Sequence, residues 1–91
     1  MKFEFEFDPN KSTSNKIKHG IDFEEAQALW LDLRRIEIEA RTIGESRNLL
    51  IAMFRDEIWS AIFTLRKDAI RIISVRKSRK NEKEIYYNTG I

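Results

Sequence analysis

Basic side chains are concentrated in the last third of the chain, and they are the residues best suited to chemistry. From Arg66 to Lys83 there are eight basic and two acidic residues, whereas residues 1–46 have seven basic and ten acidic residues. Such a concentration of positive charge is typical of a surface that binds a polyanion, most often RNA or DNA. Because these positions alternate with Ile72, Ile73 and Val75, we expect them to lie on a packed strand rather than a flexible tail.

Three arginines, Arg66, Arg71 and Arg76, flank or end the last predicted strands. Arginine keeps its charge at any working pH and binds phosphate oxygens through a planar fork. It can therefore hold RNA passively, or stabilise the charge that develops on a phosphate during cleavage. RNA supplies its own nucleophile, the 2′-hydroxyl, so cleavage needs only positioning, charge stabilisation and proton transfer. The side chains that could transfer the proton are His19, Glu82 and Tyr86.

The same residues also have simpler interpretations. A basic strand is usually a solvated face, and an arginine at a strand end is expected to contribute little to the core. His19, just before Gly20, could complement the dipole at a helix C-terminus, and a tyrosine on a terminal helix usually packs. A non-catalytic nucleic-acid-binding or partner-binding regulatory module is therefore the alternative function.

The composition argues against several other functional classes. With one His, no Cys and no compact carboxylate group, the sequence predicts no metal site and no cofactor. It contains neither a Gly-rich phosphate loop nor a nucleophile elbow. No apolar run approaches the length of a membrane span, and the start Lys2-Phe3-Glu4 is unlike a signal peptide, so we expect a cytoplasmic protein with no membrane contact.

Hydrophobic periodicity and capping residues predict the elements that position these side chains. The predicted strands cover residues 2–7, 34–40, 47–54, 57–65 and 69–76, and the predicted helices cover 9–19, 22–31 and 79–87. This β-α-α-β-β-β-β-α order indicates an α+β fold, a single small domain over residues 1–91 with a mainly antiparallel sheet packed against helices. The side chains expected in the core are Phe3, Phe5, Phe7, Trp59, Ile62 and Ile72.

Several short motifs together resemble the BrnT family, the toxins of BrnT/BrnA type II toxin–antitoxin systems. The motifs are FDPNK at residues 7–11, NKIKHG at 15–20, FEEA at 23–26, TLR at 64–66 and RIISVR at 71–76, followed by Glu82 and Tyr86. They occur in the right order and spacing over nearly the whole chain, and the pair KHG and RIISVR is the most specific element.

The resemblance implies a RelE-like fold and a growth-arresting ribonuclease that cleaves RNA without a metal, by 2′-hydroxyl attack assisted by arginine. Arg66 and Arg76 match the motif arginines and are expected to hold the scissile phosphate together. The other catalytic candidates are Arg71, Glu82 and Tyr86. The candidates for RNA binding are Lys18, His19, Lys67, Lys77, Arg79 and Lys80.

The resemblance also implies a protein partner. A cognate BrnA-like antitoxin would form a hetero-oligomer with the toxin and neutralise it. The DNA-binding part of such an antitoxin represses the shared operon, so DNA would be contacted only indirectly, through the antitoxin.

Overall fold

Five strands form one sheet in the order β1-β5-β4-β3-β2 within residues 3–41 and 46–89, the part of the chain that the computed structural model describes. Only β1 and β5 pair in parallel, and the other neighbours are antiparallel. The predicted α+β fold and element order are confirmed. The strands are β1 (Phe5–Glu6), β2 (Ile36–Arg41), β3 (Ser46–Phe54), β4 (Glu57–Arg66) and β5 (Ala69–Lys77), and the helices are α1 (Pro9–His19), α2 (Phe23–Ala26), a 3₁₀ segment (Gln27–Leu31) and α3 (Lys80–Thr89).

Two boundaries differ from the sequence prediction. The first strand is limited to Phe5–Glu6, because Asp8 already caps α1 and turns the chain away from the sheet edge; residue 2 lies outside the described residues. The predicted helix 22–31 divides into α2 and the 3₁₀ segment. A 3₁₀ turn repeats every three residues, which keeps Ala26 and Leu29, both fully buried, on the same side.

Helix α1 begins and ends where its capping residues predict. The Asp8 carboxylate accepts a hydrogen bond from the Asn10 amide at 2.8 Å, and Pro9 occupies the first turn. Gly20 ends the helix with φ of 83° and donates its N–H to the Lys16 carbonyl. Since this left-handed conformation suits glycine, the helix stops directly after His19 and leaves that side chain at the end of α1.

The main core lies on the face of the sheet that α1, α2 and the 3₁₀ segment cover. Its centre is Trp30, which packs edge-on against Phe63 with ring centroids 5.3 Å apart. Phe3, Phe5 and Phe7 were predicted to be buried but are only half-buried, because they pack at the margin of this core on the edge strand and its flanks. Ile72 and Trp59 are buried as predicted.

The opposite face has a smaller core beneath α3. Ile51 and Ile58 of the sheet and Tyr86 of α3 are its buried members. Ile62 was predicted to be buried and is half-buried on this same face, because α3 spans only ten residues and covers one end of the sheet. This arrangement places the first turn of α3 over the end of β5.

A register shift in the β4–β5 pair decides which face each basic residue of β5 occupies. Ile62 pairs with Ser74 but Phe63 pairs with Ile72, so Ile73 is an additional residue in β5. A bulge of this kind reverses the alternation of side chains beyond it. Ile72 and Val75 therefore both join the main core, and Arg76 turns to the α3 face.

We predict that Trp59→Ala lowers the free energy of unfolding by about 3–5 kcal/mol, because it removes a large buried side chain and leaves a cavity. Trp59 is 7% exposed, and its indole N–H donates to the Phe54 carbonyl at 3.2 Å. Urea denaturation measures the change. The control is Leu33→Ala, whose side chain is 95% exposed and should alter stability by no more than about 0.5 kcal/mol. A Trp59→Ala loss as small as that of Leu33→Ala would contradict the described core.

Candidate functional site

The Glu82 carboxylate lies between α3 and the sheet and binds the guanidinium of Arg76. Arg76 Nη1 and Nη2 each donate to one Glu82 oxygen at 2.8 Å. The Arg79 amide and Ser60 Oγ also donate to Glu82 Oε1, at 2.8 and 2.9 Å. Led by the bond from Arg76, these contacts outweigh burial and lower the pKa of Glu82 to about 2. Glu82 is therefore an anionic anchor for Arg76 and a poor proton acceptor.

Arg76 is held firmly but keeps donors for a ligand. Besides its bonds to Glu82, Nη1 donates to the Lys77 carbonyl at 3.3 Å. A guanidinium has five N–H groups, so two remain unused within the described residues. Arg76 was expected to contribute little to the core, and it belongs to neither hydrophobic cluster, but its side chain is only 24% exposed and is paired with a buried carboxylate.

Asn15 on α1 fixes the helix against the part of β5 that extends beyond its pairing with β1. Its side-chain amide donates to the Val75 carbonyl at 2.9 Å, and its oxygen accepts from the Val75 N–H at 3.2 Å. The same amide nitrogen donates to the Ile21 carbonyl at 2.8 Å, so both the nitrogen and the oxygen of the buried side-chain amide are hydrogen-bonded. Lys18 and His19 follow three and four residues later on the same helical face, which carries them to the end of β5.

The end of α1, held by Asn15, and the end of β5, held by the Arg76–Glu82 pair, form the walls of a basic cleft of about 410 Å³. Lys18 and His19 supply the α1 wall, while Arg76, Lys77 and Arg79 supply the wall at the end of β5. Lys77 is paired with Glu57 at 3.3 Å, but both side chains are largely solvent-exposed. Lys18 and Arg79 form no ion pair with any described residue, so they can bind an incoming anion. Five of the residues predicted from the sequence therefore meet in one cleft.

Arg66 and Lys67 lie at the other end of the β4–β5 hairpin. Arg66 pairs with Ala69, whereas Arg76 pairs with Ser60, so the two arginines are six residues apart along β4. At the rise of a strand this is about 20 Å. The expectation that Arg66 and Arg76 hold one phosphate together is therefore wrong.

The far end also differs in charge from the basic cleft. Two cations, Arg66 and Lys67, share its cavity with three carboxylates, those of Glu4, Glu6 and Asp68. Arg71 lies nearby and is bound to Glu6 at 3.3 Å. Among the described residues, four cations and no carboxylate line the basic cleft, which makes the cleft the better site for a polyanion.

Tyr86 and Lys80 do not line the cleft either. The Tyr86 hydroxyl donates to Asp32 Oδ2 at 2.6 Å beneath α3. Burial, together with that bond to the Asp32 carboxylate, raises the pKa of Tyr86 to about 12. Tyr86 is thus suited to packing α3 rather than to transferring a proton. Lys80 is exposed at the start of α3.

Sequence reasoning missed the residues that hold this site together. Asn15 lies inside the recognised NKIKHG motif, yet nothing in its type or spacing marks it as the partner of Val75, 60 residues away. Ser60 and Ser78 are also buried in the site, with their hydroxyl oxygens 2.7 Å apart. Since the Ser60 proton goes to Glu82, Ser78 is the donor in that pair.

No three His, Cys, Asp or Glu side chains of residues 3–41 and 46–89 form a group that could hold a metal ion. None of the helices in this part of the chain is long and apolar enough to span a membrane.

Comparison with known families points to one activity. A family model described as the ribonuclease toxin BrnT of type II toxin–antitoxin systems matches residues 7–82. The match includes Asn15, His19, Arg76 and Glu82, the residues that build the cleft. No curated protein sequence matches the chain.

We predict that Glu82→Gln destabilises the protein at neutral pH by about 3 kcal/mol, since each unit of pKa shift corresponds to about 1.4 kcal/mol. Folding lowers the pKa of Glu82 from its usual 4.5 to about 2, so its contribution is complete above 4.5 and disappears as the pH falls towards 2. Urea denaturation between pH 7 and 2 should show the gap between wild type and variant closing over that range. Glu84→Gln, on an exposed part of α3, is the control and should change little. A gap that stays constant with pH would contradict this role of Glu82.

Proposed function

The chain belongs to the BrnT family of ribonuclease toxins from type II toxin–antitoxin systems, and we propose that the basic cleft is its RNA-cleaving site. The observation that carries the proposal is the meeting of one histidine with four cations around a single cleft, with no carboxylate among the lining residues that the structure describes. Lys18 and Arg79 would bind backbone phosphates, and Arg76 would contact the scissile phosphate through the two N–H groups that its bonds to Glu82 and the Lys77 carbonyl leave unused.

His19 is our candidate for the base. It is the titratable side chain of the cleft that can both accept and donate a proton through its ring nitrogens. Glu82 is unsuitable because of its pKa of about 2, and Tyr86 because its hydroxyl is bound to Asp32. In the proposed step His19 takes the proton of the RNA 2′-hydroxyl, and the 2′-oxygen forms a bond to phosphorus.

The bond from phosphorus to the 5′-oxygen then breaks, and that oxygen takes a proton from water. The hydroxide left behind accepts the proton that His19 had taken, which returns His19 to its starting state. The products are a 2′,3′-cyclic phosphate and a 5′-hydroxyl end. The charge that develops on the phosphate oxygens would be stabilised by Arg76, whose orientation is fixed before RNA arrives. The step is complete without a metal ion.

We predict that Lys18→Gln/Arg79→Gln lowers kcat/KM for RNA by at least about tenfold, since it removes two cations that can contact phosphates. The loss should appear mainly in KM, and the dependence of binding on salt should become less steep. The double variant should fold normally, because neither side chain is paired in the described structure.

The matched variant is Arg66→Gln/Lys67→Gln, which removes the same charge from the far end of the hairpin. It should retain most of the activity. An equal or larger loss in this variant would move the RNA site to the far end and contradict the cleft.

We predict that His19→Gln lowers kcat by about 10²–10⁴ while leaving RNA binding nearly intact, because general base catalysis typically contributes that factor. Single-turnover cleavage and filter binding separate the two quantities. The wild-type products should carry 2′,3′-cyclic phosphate, and activity should persist in EDTA. Activity that EDTA abolishes and a divalent ion restores, or a fully active His19→Gln variant, would overturn this mechanism.

The family implies an antitoxin partner. We propose that a BrnA-like antitoxin neutralises the toxin by covering the basic cleft, so that steric block and charge compensation act together.

A further inference from the structure

A second cavity, of about 540 Å³, lies beside α2 and the 3₁₀ segment and shares no lining residue with the basic cleft. Its walls are apolar, and two carboxylates lie at its rim. The apolar side chains are Phe3, Phe5, Ala28, Leu31 and Phe54, the carboxylates are Glu24 and Glu25, and the amide of Gln27 completes the lining. We refer to this cavity as the acidic groove.

The aromatic walls of the acidic groove are already fixed in the free protein. Phe5 packs edge-on against buried Trp30, with ring centroids 5.1 Å apart. The Arg55 guanidinium lies over the Phe54 ring at 4.6 Å from its centroid. Since these rings have defined neighbours, an occupant would not need to order them on binding, which favours affinity.

Charge disfavours RNA as the occupant. None of the described residues that line the groove is a cation. Glu25 is bound to Lys16 at 2.8 Å and to Arg55 at 3.5 Å, whereas Glu24 is exposed and forms no ion pair within the described part of the chain. A polyanion would be repelled by Glu24, while an apolar segment that carries a lysine or arginine would complement both the walls and the rim.

Leu31 indicates that the groove is a protein interface rather than a closed pocket. It forms part of the wall and is still 71% exposed, at the edge of an aromatic surface. A contiguous apolar surface rimmed by polar groups is typical of a protein–protein contact.

We propose that the acidic groove anchors the antitoxin through an apolar segment that carries a basic side chain opposite Glu24. The inference rests on the toxin–antitoxin function proposed above and adds the surface that the partner uses. Arg55 and Glu57 of the β3–β4 hairpin link the two sites, because Arg55 binds Glu25 at the groove and Glu57 binds Lys77 at the cleft. A partner anchored in the groove can therefore continue across the hairpin and cover the cleft.

The test uses the purified full-length chain and the antitoxin encoded in the same operon, with affinity measured by calorimetry and RNA cleavage measured separately. Leu31→Asp and Glu24→Lys should each weaken antitoxin binding at least tenfold and raise the antitoxin concentration needed for inhibition by a similar factor. Neither change touches the basic cleft, so both variants should cleave RNA at the wild-type rate.

Two control variants match these changes elsewhere on the surface. Leu65→Asp alters a leucine that is 67% exposed and does not line the groove, and Glu39→Lys reverses an exposed charge on β2. Both should bind the antitoxin within about twofold of wild type, as is usual for surface changes outside an interface.

The outcomes separate this inference from the proposed ribonuclease site. The proposed role of the groove would be overturned if Leu31→Asp and Glu24→Lys left the antitoxin affinity unchanged, or if the operon's antitoxin did not bind the wild-type chain. Either result counts against the groove regardless of whether the chain cleaves RNA. Slower RNA cleavage by both groove variants would assign the groove to RNA and also overturn the inference. A wild-type chain that binds the antitoxin through the groove but never cleaves RNA would refute only the proposed function.

Discussion

The ion pair between Glu82 and Arg76 is the interaction on which the site depends. One carboxylate receives hydrogen bonds from β4, β5 and the start of α3, and so joins the elements that meet at the cleft. Burying a charge pair is costly, and it is tolerated here because the carboxylate receives four hydrogen bonds, three at Oε1 and one at Oε2. In return, the pair fixes the direction of a guanidinium that would otherwise rotate freely at a strand end. If Arg76 acts as we propose, an arginine that is already oriented before the substrate binds needs no reorganisation during the reaction.

Two structural features, a bulge in β5 and the Asn15 side chain, place that ion pair across the cleft from His19. The additional residue Ile73 in β5 reverses the side-chain alternation and turns Arg76 towards α3. On the other side of the cleft, the Asn15 side-chain amide bonds the backbone of Val75 in β5 as a neighbouring strand would, beyond the part of β5 that pairs with β1. These bonds fix the position of α1 along β5. Because both features act on residues 73–76, a small change in that stretch alters both walls of the cleft at once.

The sequence predicted the elements well because their signals are local. Asp8 and Gly20 mark the ends of α1, and the alternating apolar residues of β3, β4 and β5 mark the sheet. The set of basic residues was also visible, since charge can be counted along the chain. Their grouping could not be predicted. The distance between Arg66 and Arg76 depends on hairpin register, and the face of Arg76 depends on a bulge that no glycine or proline marks.

The roles of Glu82 and Tyr86 show a related limit of sequence reasoning. Both side chains looked suited to proton transfer, because residue type alone carries that possibility. The surroundings of each side chain decide the matter: four donors outweigh burial and keep Glu82 ionised, whereas burial and the Asp32 carboxylate keep the Tyr86 proton in place. Each group then stabilises the attachment of α3 instead of exchanging protons with solvent. In the site that we propose, the ionisable side chains with access to RNA would be those that line the cleft, so His19 would transfer the proton, while the buried polar groups hold Arg76 in a fixed orientation.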